Sequence, residues 1–154
     1  MIYFAYGADM NPGRMAEICP GYHSLGVARL PDHRLIFPRF SRTWGCASAS
    51  LAPRPGETVF GALYEVPADD LYALHSQHGF DPEGPPEFND QEFRELTVLR
   101  VGGSEPVSAK TYVAVPDGTV ALPSATYMNL IIDGARYHNL PRAYLVVLRA
   151  VPTG

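Results

Sequence analysis

Hydrophobic residues cluster in short runs along the chain, and the first run ends at a glycine. Residues 2–6 are β-branched or aromatic apart from one alanine, which predicts a short buried strand. Gly7 allows close approach of a ligand, and Asn11-Pro12 predicts a helix that runs to about Cys19. A strand that leads through a glycine turn into a helix directs free backbone N–H groups at one point, which suits an anion. The alternative is an ordinary turn with nothing bound.

The middle of the chain alternates in the way that strands do. Residues 25–30 and 34–37 predict two strands separated by a turn at 31–33, and residues 44–51 and 59–66 predict two more around a turn at 54–56. Residues 67–78 change to helical spacing, with Leu71, Leu74 and His78 on one side. Residues 79–91 hold prolines, a glycine and acids, which predicts an exposed loop.

The last third returns to strands and then to helices. Residues 93–101 and 109–115 predict an antiparallel pair, Ser124 predicts the cap of a helix, and a final helix follows Pro141. No repeat or linker divides the chain, so we expect one domain over residues 1–154. The order of the elements predicts the α+β class, with a small mixed β-barrel and flanking helices.

Composition narrows the function classes. Hydrophobic residues make up 46% of the 154 residues and charged ones 18%, as in ordinary folded proteins. The net charge of -4 and the single lysine, Lys110, argue against a nucleic-acid partner. The sequence has no apolar run of membrane-spanning length and no signal segment, so we expect a cytoplasmic protein. Cys19 and Cys46 give neither zinc spacing nor a disulfide framework, and a cysteine nucleophile is the weaker alternative to two buried thiols.

Several motifs, in the right order over nearly the whole chain, resemble the gamma-glutamylcyclotransferase-like family. That family opens with a strand and Tyr-Gly-Ser-Asn-(Leu/Met). The matching stretches here are Tyr6-Gly7-Ala8-Asp9-Met10, residues 30–35, Trp44-Gly45, residues 59–64, residues 123–127, Gly134-Ala135 and Leu140-Pro141. The resemblance implies a mixed β-barrel with a pocket at the first loop. It also implies a reaction in which the α-amine of a γ-glutamyl group attacks its own γ-carbonyl, releasing an amine and 5-oxoproline.

The resemblance also implies site residues. Substrate contacts fall at Tyr6, Gly7, Ala8, Asp9, Met10 and Tyr127. In the family, the glutamate of the motif Leu-Asp-x-x-Glu-Gly accepts the proton of the attacking amine. The matching stretch here reads Leu74-His75-Ser76-Gln77-His78-Gly79. Position 78 is therefore a histidine, Asp9 stands where the family has asparagine, and Phe93 stands where it has tyrosine. We expect altered specificity from these changes.

Alternatives remain at this position. His78 can be the general base, because an ordinary histidine titrates near pH ~6.5, or catalysis has been lost and His78 only caps the helix. A loop acid, Glu83, Glu87 or Glu92, is a further candidate base. His75 and His78 share a helix face and could bind a metal with Asp81, Glu83 or Glu87 of the loop, but nothing fixes a third ligand, so we expect no metal.

Three classes of function follow. The first is a cyclotransferase-like acyltransferase or lyase, and the second is a binding module that keeps the pocket without turnover. The third is a hydrolase or lyase of a specialised pathway in which Asp9 recognises a cationic group. All three act on a small molecule without a cofactor, and the oligomeric state stays open.

Overall fold

The computed structural model describes residues 1–154, and its centre is a closed five-stranded barrel. The strands follow the order β1-β3-β2-β4-β5 around the barrel. Their bounds are β1 Ile2–Ala5, β2 His23–Ser41, β3 Cys46–Glu65, β4 Gln91–Arg100 and β5 Pro106–Ala114. β1 and β5 pair in parallel and all the other pairs are antiparallel, so the predicted mixed barrel is confirmed.

The β2–β3 hairpin is longer than the sequence predicted, because two predicted turns lie inside continuous strands. Residues 31–33 form a register shift within β2, with Asp32 at φ 57°. Gly56, at φ 84°, donates its N–H to Asp32 Oδ1 over 2.9 Å from the facing strand. The two sets of turn residues therefore bend the hairpin together instead of ending it. The hairpin turn itself lies at residues 42–45, so β3 begins at Cys46 and not at 44.

The predicted helices are present. They are α1 Pro12–Ile18, α2 Ala68–Gln77, α3 Ala125–Tyr137 and α4 Arg142–Arg149. The Asn11 side chain caps α1 by accepting from Gly13 N and Arg14 N, and Ser124 caps α3 by accepting from Tyr127 N. β4 and β5 begin earlier than predicted, at Gln91 and Pro106, and residues 79–90 form a loop with one short 3-10 turn at Pro86–Phe88.

One packing contact fixes the first loop against the rest of the fold. At Gly134 in α3, an added Cβ would lie 2.6 Å from the Met10 carbonyl carbon, so the helix backbone rests directly on that loop. Ala135 beside it is fully buried. This contact explains why the Gly134-Ala135 pair is small, and it holds the loop between α3 and the open end of β1. None of the helices has both the length and the apolar character to cross a membrane.

Candidate active site

A small cavity of about 40 Å³ lies where β1 enters the first loop. It has room for about three water molecules. Six of the seven predicted site residues line it: Tyr6, Gly7, Ala8, Asp9, His78 and Tyr127. The seventh, Met10, is fully buried in the core. The loop therefore brings its predicted residues together, except that the Met10 side chain packs on the other side of the backbone.

Asp9 is the centre of a hydrogen-bond network at the floor of the cavity. Its side chain is 3% exposed. Oδ2 accepts from the Tyr3 hydroxyl over 2.6 Å and from His78 Nε2 over 2.7 Å, and Oδ1 accepts from Arg14 Nε over 3.2 Å. The carboxylate is thus bound by three groups of its own chain, and two of them are cationic or can become so.

Neighbouring charges and burial shift the pKa of Asp9 in opposite directions. Burial alone would raise its pKa, but the charge and hydrogen bond of His78, followed by Arg14, outweigh burial and hold the pKa well below its usual range. Burial and the neighbouring Asp9 charge together raise the pKa of Tyr3, so its hydroxyl remains a donor. The site therefore holds a permanent buried carboxylate.

His78 is held in one orientation by two contacts. It follows α2 as the C-cap residue, and its ring stacks flat on the Tyr112 ring with centroids 3.9 Å apart and an interplanar angle of 2°. A carboxylate only accepts, so Nε2 must carry the proton that it shares with Asp9. Nδ1 makes no hydrogen bond within the chain, so it is the nitrogen that can take up a proton when the ring is neutral.

Arg14 is a site residue that sequence reasoning missed. Besides its bond to Asp9, it donates from Nη2 to Gln77 Oε1 over 3.2 Å, and its guanidinium lies 4.2 Å from the Trp44 ring centroid. These contacts close the cavity between α1, the end of α2 and the β2–β3 turn. The sequence contained the information needed to find it, because the Asn11 cap places Arg14 in the first turn of α1, next to the loop that was predicted to bind an anion.

The backbone of the first loop is fixed with its N–H groups turned outward. The carbonyls of Gly7 and Ala8 accept from Met10 N and Asn11 N over 3.1 and 3.0 Å. Carbonyl and N–H point in opposite directions across a trans peptide, so the N–H groups of Ala8 and Asp9 point away from this turn. The Gly7 N–H has no acceptor within the chain. An anion site at this loop thus remains a prediction that the geometry favours.

The side chains of Tyr64 and His138 hydrogen-bond to backbone carbonyls of this loop. The Tyr64 hydroxyl donates to the Asp9 carbonyl over 2.9 Å, and His138 Nε2 lies 3.0 Å from the Met10 carbonyl and 3.1 Å from the Tyr64 hydroxyl. Burial lowers the pKa of His138, which favours the neutral ring. The neutral ring donates from Nε2 to the Met10 carbonyl.

The two predicted tyrosines differ in what they offer a ligand. The Tyr6 hydroxyl donates to the backbone carbonyl of Tyr112, so it is occupied. The Tyr127 hydroxyl accepts from Ala49 N over 2.9 Å, which leaves its own proton free. Burial, above all, raises the pKa of Tyr127, so it stays a donor.

Other candidate residues lie away from the cavity. Phe93 packs against the His75 and Tyr112 rings instead of lining it, and Gln91 is the β4 residue that does. Glu83, Glu87 and Glu92 are exposed, and none of them lines the cavity. Cys19 is buried outside the cavity, and burial raises the pKa of its thiol to about 12.

His75 is engaged elsewhere. Its Nδ1 lies 2.6 Å from the Tyr112 hydroxyl, and its pKa is lowered by burial and by the charge of His78. No group of three or more potential metal ligands occurs in the structure.

The comparisons with known proteins give the family. Residues 58–148, more than half of the chain, match the model of the AIG2-like family. The chain belongs to the AIG2-like family. The gamma-glutamylcyclotransferases of Homo sapiens and Mus musculus are 28% and 27% identical to this AIG2-like protein, over 97% of it and 78% of each relative.

Solved structures agree with this AIG2-like assignment. A structure titled gamma-glutamyl cyclotransferase matches with a TM-score of 0.88 at 26% identity, over 100% of this chain and 89% of that one. YkqA from Bacillus subtilis matches with a TM-score of 0.77 at 21% identity, over 100% of this chain and 56% of that one, which shows the fold alone. The predicted resemblance and the predicted fold are both confirmed.

Proposed function

We propose that this AIG2-like protein is an enzyme that cleaves a small amide by intramolecular acyl transfer, with His78 as the general base. The gamma-glutamylcyclotransferase relatives support the reaction type. The substrate's free α-amine nitrogen bonds to its own γ-carbonyl carbon, and the bond from that carbon to the leaving nitrogen breaks. The products are a cyclic amide and a free amine. The only other steps are proton transfers, so no cofactor is required.

The observation that carries the proposal is the contact of 2.7 Å between His78 Nε2 and the buried Asp9 carboxylate. A buried carboxylate that accepts from one imidazole nitrogen fixes the tautomer, and it stabilises the imidazolium when the other nitrogen takes a proton. His78 therefore has the orientation and the partner that a general base needs. A histidine that only capped the helix would not require a buried charge beside it.

The proton path follows from this pair. As the amine attacks, its proton passes to His78 Nδ1, and Asp9 stabilises the resulting positive charge. The same proton then passes to the leaving nitrogen as the amide bond breaks, so His78 returns to its neutral form. General acid–base catalysis of this kind contributes about 10²- to 10⁴-fold to the rate.

The remaining cavity groups position the substrate. The free Gly7 N–H and the unused N–H groups of Arg14 suit the carboxylate of a glutamyl group. The Tyr127 hydroxyl has a free proton that can stabilise the developing oxyanion. Tyr6 and Ala8 shape the wall of this cavity.

Altered specificity follows from the charges at positions 9 and 78. The resemblance implies a neutral asparagine and an anionic glutamate, whereas this chain has an anionic Asp9 in contact with a histidine. The Asp9 charge is matched by Arg14. A neutral or cationic His78 repels an anionic substrate less than a glutamate would, so we propose that the enzyme accepts more acidic substrates.

The test is turnover of a panel of γ-glutamyl amides, followed by mass spectrometry of the released amine and of 5-oxoproline. We expect His78→Ala to reduce kcat about 10²-fold or more, measured on protein that circular dichroism shows to be folded. His23→Ala is the matched control, because His23 is exposed and makes no side-chain hydrogen bond or ion pair. Its activity should equal that of the unchanged protein.

Two results would contradict the proposal. Full turnover by His78→Ala would exclude His78 as the base. The loop acids Glu83, Glu87 and Glu92 would then be the remaining candidates. Binding of the amides without any turnover would identify a binding module, which is the alternative function.

A further inference from the structure

A separate cleft, of about 830 Å³, lies between α2 and the loop of residues 79–89. It shares no lining residue with the catalytic cavity, so the two are different sites of the molecule. Its volume falls within the range of about 300–1,000 Å³ that small-molecule pockets occupy. The reaction proposed above uses none of its residues.

The loop that forms one wall of this cleft is held by backbone hydrogen bonds. Near its two ends, Asp81 N donates to Asn89 Oδ1 over 2.9 Å. Phe80 N donates to the His75 carbonyl over 3.0 Å, which joins the loop to α2. The backbone of the loop is therefore fixed relative to the helix that forms the opposite wall.

His75 is the one buried residue in the lining of the cleft, and it is 8% exposed. Its Nδ1 contacts the Tyr112 hydroxyl over 2.6 Å, whereas its Nε2 has no hydrogen-bond partner. The Tyr144 hydroxyl is the only fully enclosed side-chain polar atom without a partner. The unpaired Nε2 of His75 is therefore not enclosed, and it opens to the cleft.

The contact with Tyr112 makes this nitrogen a donor. Burial raises the pKa of Tyr112, and burial together with the charge of His78 lowers the pKa of His75. The hydroxyl thus keeps its proton beside a neutral ring. Since the Tyr112 hydroxyl has no other partner, it donates to Nδ1, and the ring proton lies on Nε2. The floor of the cleft therefore offers one N–H group to an acceptor.

The mouth of the cleft carries aromatic and acidic side chains and no arginine or lysine. Tyr72 on α2 and Phe88 on the loop are 84% and 78% exposed, although both are large aromatic residues. Asp81 and Glu83 line the same space, and neither forms an ion pair. The faces of aromatic rings attract cations, as the two carboxylates do.

We propose that this cleft binds a small organic cation that has an apolar body and a hydrogen-bond acceptor. Its ammonium group lies against Glu83 and Asp81, its body lies between Tyr72 and Phe88, and its acceptor receives the proton of His75 Nε2. Exposed carboxylates alone are ordinarily solvated, but a buried N–H without an acceptor is costly until a ligand supplies one. The site does not depend on the reaction proposed at His78.

The test uses four compounds of nearly one shape and measures their binding from the amide chemical shifts of isotope-labelled protein. N-(2-aminoethyl)benzamide is the cation with an acceptor, N-(2-hydroxyethyl)benzamide is its neutral analogue and hippurate is the anion. The fourth, 4-phenylbutylamine, is a cation without the carbonyl. We expect the first to bind with a Kd of about 1 mM, to shift the amides of Gly79 and Gly84, and to leave that of Gly7 unchanged.

The neutral compound and 4-phenylbutylamine should each bind about threefold more weakly than the first, and hippurate more weakly still. Glu83→Gln should weaken binding of the cation about threefold without affecting the neutral compound. Glu87→Gln is the matched control, because Glu87 is an exposed acid of the same loop that does not line the cleft. Tyr72→Ser changes an exposed side chain, so it should fold normally and weaken binding of all four compounds.

Several results would overturn this site. They are equal affinities for the cation, the neutral compound and the anion, equal effects of Glu83→Gln and Glu87→Gln, shift changes at Gly7 instead of Gly79, or no binding at millimolar concentrations. Equal affinities of 4-phenylbutylamine and N-(2-aminoethyl)benzamide would overturn the part given to His75.

Discussion

Replacing Asp9 with asparagine removes one charge and one acceptor from the centre of the site while keeping the shape of the side chain. Two donors, the Tyr3 hydroxyl and His78 Nε2, converge on Oδ2 at 2.6 and 2.7 Å, and Arg14 Nε contacts Oδ1 at 3.2 Å. An amide can place its oxygen on only one of these sides. Whichever side receives the NH₂ group then has a donor facing a donor.

The expected cost is worked from these contacts. Hydrogen bonds to a charged group contribute about 1.5–3 kcal/mol each, and removing one partner of a fully buried pair costs about 3–5 kcal/mol. Arg14 and His78 are 17% and 21% exposed, so water can partly replace the lost contacts. We therefore expect Asp9→Asn to lower the free energy of unfolding at pH 7 by about 2–3 kcal/mol, which lowers Tm by about 5–10 °C.

The pH dependence provides a sharper check. The pKa of Asp9 in the folded protein lies below its ordinary value of 3.8. The ionised carboxylate therefore stabilises the fold above that value, and this contribution is lost as the pH falls below it. The difference in stability between the unchanged protein and Asp9→Asn should therefore shrink as the pH falls from 4 to 2.

The assay is urea unfolding at a series of pH values. Asp133→Asn is the control, because Asp133 is exposed on α3 and has no ion pair or side-chain hydrogen bond. It should follow the unchanged protein at every pH. An Asp9→Asn variant as stable as the unchanged protein at pH 7, or a difference that does not shrink below pH 4, would refute the role given to the carboxylate.

Two glycine substitutions, with a third as their control, test the first loop. Gly134→Ala places a Cβ 2.6 Å from the Met10 carbonyl carbon, so unfolding measurements should show a loss of about 1–3 kcal/mol. Gly103→Ala, where nothing lies within 4 Å, should change stability far less. Gly7→Ala should fold normally, because its Cβ would meet the Tyr127 hydroxyl only at 3.8 Å, yet it should weaken binding of γ-glutamyl compounds by filling the cavity. Unchanged affinity in that variant would place the ligand elsewhere.

Local signals in the sequence predicted most of the elements. The Asn11 and Ser124 caps mark the starts of α1 and α3, because each side chain satisfies backbone donors within a few residues of itself. The alternating strands could be predicted for the same reason, since strand patterning is local. The turn signals at 31–33 and 54–56 were misread, because a turn and a bulge use the same residues. Whether the chain reverses there depends on the facing strand.

The sequence by itself determined which residues could do chemistry and where the first loop begins and ends. The resemblance to the family's motifs predicted that Asp9 and His78 share one pocket, and it showed that both differ from the residues that the family has at these positions. Only the tertiary structure decided that they touch, because 69 residues separate them and the pairing needs the first loop and the end of α2 to meet at the mouth of the barrel. The same fold brought Arg14 to Asp9 and joined the β2–β3 turn to the end of α2, next to His78. The physical reason is that charge pairing and burial depend on distances between remote segments, which no local pattern of residues contains.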